Sequence, residues 1–286
     1  MRLRQNVAMA MMLGAVLVLL AGTGAAQDVL LPQQSAVKAK ELVQRSIQAM
    51  GGQAYLDIRE FYRVGRLAQF SSAGDLAGYA KFFDYTKLPD KNRTEYGERR
   101  NIITLYTAAE GWEMDRAGVQ QSSVESIERY RENLRKDIDH LFRYRLNQEG
   151  MIFRYEGSDI IDLRPVEWVE VVDPDRLTTR IAFDNATHLP MRVTYIWRDP
   201  TTRQRIEELE FLSNWHAVQG VQTAMQVARE RNGIKVYQAF FTEYQFNLGL
   251  ADALFTRASL DEAFAKFNKK DKDKKEKGKG GEKKKN

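Results

Sequence analysis

From about residue 56 to 118, and again from 151 to 246, apolar and polar side chains alternate in runs separated by short turns. YAKFFDYTKLPDKNRTEY, MRVTYIWRD, RIEELEFLSNW and IKVYQAFFTEYQFN are examples. A period of two belongs to a strand with unlike faces, because a helix brings a residue back to the same side only after 3.6 positions. Links such as Pro89-Asp90 and Glu110-Gly111 are too short for a crossover, so consecutive strands are expected to pair antiparallel. In the first run Tyr79, Phe83 and Tyr85 share one face, and the hairpin at Glu110-Gly111 sets Trp112 and Met114 opposite Ile103 and Leu105. Alternation gives about eleven strands, several of about ten residues. A sheet of that size twists and must curl, which leaves a concave face to be covered.

Two amphipathic helices are expected to cover it. In SAVKAKELVQRSIQAMGG, Ala39, Leu42, Val43, Ile47 and Met50 recur at helical spacing behind a cap at Ser35, and Gly51 supplies a left-handed stop. The stretch from Ser122 to Gly150 begins with a capping box at Ser122 and Glu125 and carries Val124, Ile127, Leu134, Ile138 and Leu141. It is expected to be the longest helix, with one buried stripe. The fold class is therefore mainly β with added helices, an incomplete barrel from a curled antiparallel sheet.

Most strand aromatics are core. A sheet this long has more inward surface than two helices fill, so an apolar cavity suited to acyl chains is expected. Candidates for its wall are Phe83, Tyr85, Trp112, Met114, Phe183, Tyr195, Phe211, Phe240 and Tyr244.

The two ends of the chain account for its charge. Residues 1–26 carry Arg2 and Arg4, an apolar run and small residues at Gly24 and Ala26, the pattern of a secretory signal cleaved after Ala26. Of the overall +5, the segment from Lys266 to Asn286 holds +7, with eleven lysines and four acids, and the leader +2, so residues 27–265 carry −4. That body reads as one domain. The lysine segment has no apolar residue after Phe267 and is expected to be disordered, with weak affinity for anionic surfaces. Export to the periplasm separates the chain from nucleic acid, and no nucleic-acid partner is expected.

Catalytic signatures are missing. There is no cysteine, no HExxH or other ligand spacing, no GxSxG elbow and no phosphate-binding glycine loop. His140, His188 and His216 fall on a helix, a turn and a strand end. Glu207, Glu208 and Glu210 lie in an alternating strand and read as a solvated face. No metal, cofactor or catalytic residue is expected.

The helix ending AMGG, the EGWEM hairpin, the mid-chain helix, the FDNATHLPMRVTY turn and the closing WHAVQGVQTAMQV and YQFNLGLADALF together resemble the outer-membrane lipoprotein-sorting (LolA-like) carriers. The resemblance implies an incomplete barrel with helices in its mouth. It also implies a monomeric, non-enzymatic carrier of lipid or lipoprotein acyl chains, in transient contact with components of the inner and outer membranes. The alternatives are an envelope lipid hydrolase on the same fold and a peptide-binding module.

Overall fold

The computed structural model describes residues 30–199 and 201–282, without the side chains of 270–282. The expected leader and cleavage site and the last four residues lie outside this range. Thirteen strands form one antiparallel sheet that is not closed into a barrel. They are β1 (Glu60–Phe70), β2 (Leu76–Lys87), β3 (Lys91–Tyr96), β4 (Ile102–Tyr106), β5 (Gly111–Met114), β6 (Val119–Gln121), β7 (Ile152–Ile161), β8 (Arg164–Val172), β9 (Thr178–Asp184), β10 (Pro190–Arg198), β11 (Arg205–Val218), β12 (Val221–Arg231) and β13 (Ile234–Phe246). The count is thirteen rather than about eleven; β6, with three residues, is too short to show an alternation.

The spatial order is β6-β5-β4-β3-β2-β1-β13-β12-β11-β10-β9-β8-β7. Every strand pairing but one is between neighbours in sequence, and the exception joins β1 to β13 at the centre. The two free edges, β6 and β7, are consecutive in the chain. Residues 122–151 therefore have to travel from one edge of the sheet to the other.

That traverse is α3 (Val124–Arg135), α4 (Ile138–His140) and a π-helical turn (Leu141–Arg145), rather than one long helix. Asp137 makes the break: its side chain accepts the His140 backbone N–H at 2.8 Å and caps a new helical start, so the continuous periodicity of the sequence is interrupted. The α3 cap is Ser123, which accepts from the Ser126 backbone N–H, rather than Ser122. Val124 is 71% exposed and lies outside the buried stripe, whereas Ile127, Ile138 and Leu141 are buried.

The first expected helix is α1 (Pro32–Met50), longer than any piece of the traverse and followed by the short α2 (Gln53–Leu56). It buries the five expected apolar residues in the main core against β7, β8 and β12. It begins a turn earlier than Ser35, because Pro32 fits the first helical position. Ser35 instead accepts the Tyr155 backbone N–H at 2.8 Å and ties the helix to β7. Gly51 ends α1 at φ +131°, as expected.

A further helix, α5 (Arg257–Glu282), follows a 3₁₀ turn at Asp252–Phe255. Leu260, fully buried, packs on Ile103, Leu105 and Met114 with Ala263 and Phe264 beside it. The backbone stays helical through Glu282, past residue 266, where the sequence reading starts a disordered segment. A run free of proline extends a helix that packing has already nucleated.

Candidate functional site

The register fixes which side chains face inward. Asp84 stands opposite Arg63 on β1 and Thr94 on β3, and Arg63 stands opposite Tyr244 on β13. Phe82 and Phe241 flank Gly65 on the same face. A Cβ on residue 65 would lie 2.5 Å from the Phe240 carbonyl oxygen and 2.9 Å from the Phe82 ring, so only glycine lets that ring cross the strand.

Between this face and the traverse lies a chamber of about 480 Å³. Its sheet wall comes from β1–β3 and β11–β13; its cover presents Tyr130, Leu134, Asp137, Ile138, Asp139, His140 and Arg143. Phe61, Phe82, Leu212, Trp215, Phe241 and Tyr244 make up much of the apolar wall. The rings touch in sequence: Phe82 meets Phe241 at 5.8 Å, Phe241 meets Tyr244 at 5.6 Å, and Tyr244 meets Phe61 at 5.7 Å between centroids.

Charge enters the chamber mainly in pairs. Arg63 donates to Asp84 at 2.7 Å, and its guanidinium carbon lies 5.0 and 4.9 Å from the Phe61 and Phe241 rings. Asp84 also accepts from Asn92 at 2.8 Å and Thr94 at 2.6 Å. Burial works against the charge of Arg63, but Asp84 and Tyr244 together outweigh it and raise the guanidinium pKa. On the cover, Arg143 sits 3.0 Å from Asp139, which also accepts from the Tyr55 hydroxyl at 2.5 Å. Across the sheet, Arg229 bonds Glu210 and reaches Glu208 at 3.2 Å, and Glu208 also pairs with Arg231 at 2.7 Å. Glu208 is fully buried and Glu210 nearly so, which corrects the reading of these acids as a solvated face. Glu207, on the opposite face of β11, is only half-buried.

Asp137 differs from the other acids. It opens onto the chamber, forms no ion pair among the described residues, and its carboxyl is pushed up to about 6. Loss of water to the surrounding protein is the main cause although the side chain keeps an exposed surface, and the Asp139 carboxylate adds to it. Burial and the nearby Arg145 and Arg143 lower the pKa of His140. Burial pushes the Tyr237 and Tyr244 hydroxyls up to about 12. Among the described residues no cluster of acids and histidines has the makings of a metal site.

Of the nine aromatic and apolar candidates, Tyr244 lines the chamber. Phe183 and Tyr195 point inward but are sealed in the core beneath α1, at 2% and 1% exposure. The other six face outward. Phe83 lies under the Arg100 guanidinium at 3.5 Å, Tyr85 packs at a tilt against Tyr62, and Phe211 lies against Arg192. Trp112 and Met114 pack against α5, with Arg257 over the Trp112 ring at 4.9 Å. Phe240 is 41% exposed. The chamber rings Phe61, Phe82, Trp215 and Phe241 escaped the candidate set. Two of them are the other halves of Phe82-Phe83 and Phe240-Phe241, doublets in which the sequence offers one phenylalanine to each face.

No protein-family model matches the chain, and no curated protein matches it. Among solved structures, a DUF1329 family protein from Desulfovibrio piger superposes with TM-score 0.57 at 13% identity, covering 78% of this chain and 98% of its own. An outer membrane lipoprotein-sorting protein domain from Vibrio parahaemolyticus superposes with TM-score 0.52 at 13% identity, covering 79% and 99%. A LolA superfamily protein from Nitrosomonas europaea follows at TM-score 0.49, 13% identity and coverage of 78% and 99%. The fold is LolA-like.

Proposed function

We propose that a LolA-like sheet with a roofed chamber makes this chain a carrier of lipid or lipoprotein acyl chains in the periplasm, moving them toward the outer membrane without chemistry. The observation that carries this reading is the chamber of about 480 Å³ between curled sheet and traverse, walled by touching aromatic rings. Its volume lies in the range of about 300–1,000 Å³ usual for small-molecule sites. The likeness to a lipoprotein-sorting domain supports the same cargo class. Among the described residues no helix is long and apolar enough to cross a membrane. In this proposal residues 1–26 are the export signal and the lysine-rich end gives weak affinity for anionic membrane surfaces.

Ala224 lines the chamber on β12 and is half-buried, so a larger side chain there takes up chamber space. Titration of a fluorescent acyl probe should show saturable binding by the wild type and a loss of about tenfold or more in Ala224→Trp at equal folded fraction. Equal affinity for the two proteins would place the bound chain elsewhere.

A further inference from the structure

The chamber wall holds three arginines, Arg63, Arg143 and Arg229, and four carboxylates, Asp84, Asp137, Asp139 and Glu210. Each arginine is already engaged: Arg63 with Asp84 at 2.7 Å, Arg143 with Asp139 at 3.0 Å, and Arg229 with Glu210, its Nε at 3.1 Å. Arg229 is shared with Glu208 as well. The remaining basic group on the wall, His140, has its pKa lowered and stays neutral. Lys136, next to Asp137 in sequence, lies over the Trp197 ring at 3.5 Å and is not part of the wall. The balance leaves one carboxylate, Asp137, on the chamber's cover with an exposed surface and without an ion pair among the described residues.

Resting on the carrier reading, we infer that Asp137 acts as a charge filter: the chamber takes acyl chains that end in an uncharged ester or amide and rejects chains that end in a free carboxylate or phosphate. A free anion entering here sheds part of its hydration, meets arginines already committed to partners, and adds its charge to that of Asp137. An ester or amide carbonyl brings no such charge. It needs only a hydrogen-bond donor, and the Tyr237 and Tyr244 hydroxyls on the wall supply one.

The test is displacement of a fluorescent acyl probe by myristic acid and by its monoacylglycerol, below their micelle-forming concentrations and at a pH where the acid is ionised. The wild type should bind the monoacylglycerol about tenfold more tightly than the acid, the ratio that one pKa unit of differential interaction represents. Asp137→Asn keeps a capping side chain and removes the charge, so it should shrink that ratio to within about threefold. Asp137→Glu keeps the charge and should preserve the ratio. Equal or tighter binding of the acid by the wild type, or an unchanged ratio in Asp137→Asn, overturns the filter and leaves the carrier reading standing. Failure of both compounds and of the probe to bind overturns the carrier reading, and the filter with it.

Discussion

Gly65 is where the chamber depends most narrowly on one atom. A Cβ there collides with backbone at Phe240 as well as with the Phe82 ring, so relief requires β1 and β13 to separate. Gly65→Ala should cost about 1–3 kcal/mol in chemical denaturation, and a variant of wild-type stability would show that the strands yield freely. Asp137 gives a prediction of opposite sign. Its folded-state carboxyl titrates near 6, above the ordinary value, so ionisation on going from acid to neutral pH destabilises the fold. Asp137→Asn should therefore match the wild type near pH 4 and exceed it near pH 8. The gain should be below about 1 kcal/mol, since the carboxylate opens onto the chamber. Thermal melts at the two pH values decide it: a variant less stable at pH 8 contradicts the assignment. Residues were also where the sequence misled. Alternation placed Phe83 and Tyr85 on one face correctly, but that face is the outer one, and Glu208 and Glu210, read as a solvated face, are buried. Arg63, Asp84, Glu208, Glu210 and Arg229 all point inward, where they neutralise one another, and so invert the phase of their strands.

At the scale of elements, α1 was legible because its apolar spacing is unbroken and it lies on the sheet along most of its length. The traverse was legible only in part, since the helical start at Asp137 is a local hydrogen-bond event without a periodic signature. The packing of α5 was missed even though Leu260, Ala263 and Phe264 have helical spacing, because the lysines that follow dominate the composition. Two predictions separate this outer contact from the chamber. Trp112→Ala should weaken the seat of α5 by about 1–3 kcal/mol, while acyl-probe affinity at equal folded fraction stays that of the wild type. A large affinity loss in the folded variant would return Trp112 to the binding wall. Deletion of residues 270–286 should leave the melting temperature unchanged and reduce binding to anionic vesicles at low salt, an attraction of up to about 1 kcal/mol per lysine. Equal vesicle binding by the two proteins would remove the electrostatic role.

The whole molecule follows from one topological fact: consecutive strands β6 and β7 are the two edges of the same sheet. The chain between them has to bridge the curl, and in doing so it covers part of the concave face and forms one side of the chamber. The edge order was beyond reach of the sequence, because the pairing of β1 with β13 joins residues far apart in the chain and has no local signal. The central claim is that the chamber holds acyl chains, and native mass spectrometry of the protein isolated from a cell envelope tests it most directly. The account predicts added mass in the wild type that dissociates as an ester- or amide-linked acyl compound and is lost or much reduced in Ala224→Trp. A bound peptide in place of lipid, or lipid retained equally by the filled-chamber variant, would contradict it.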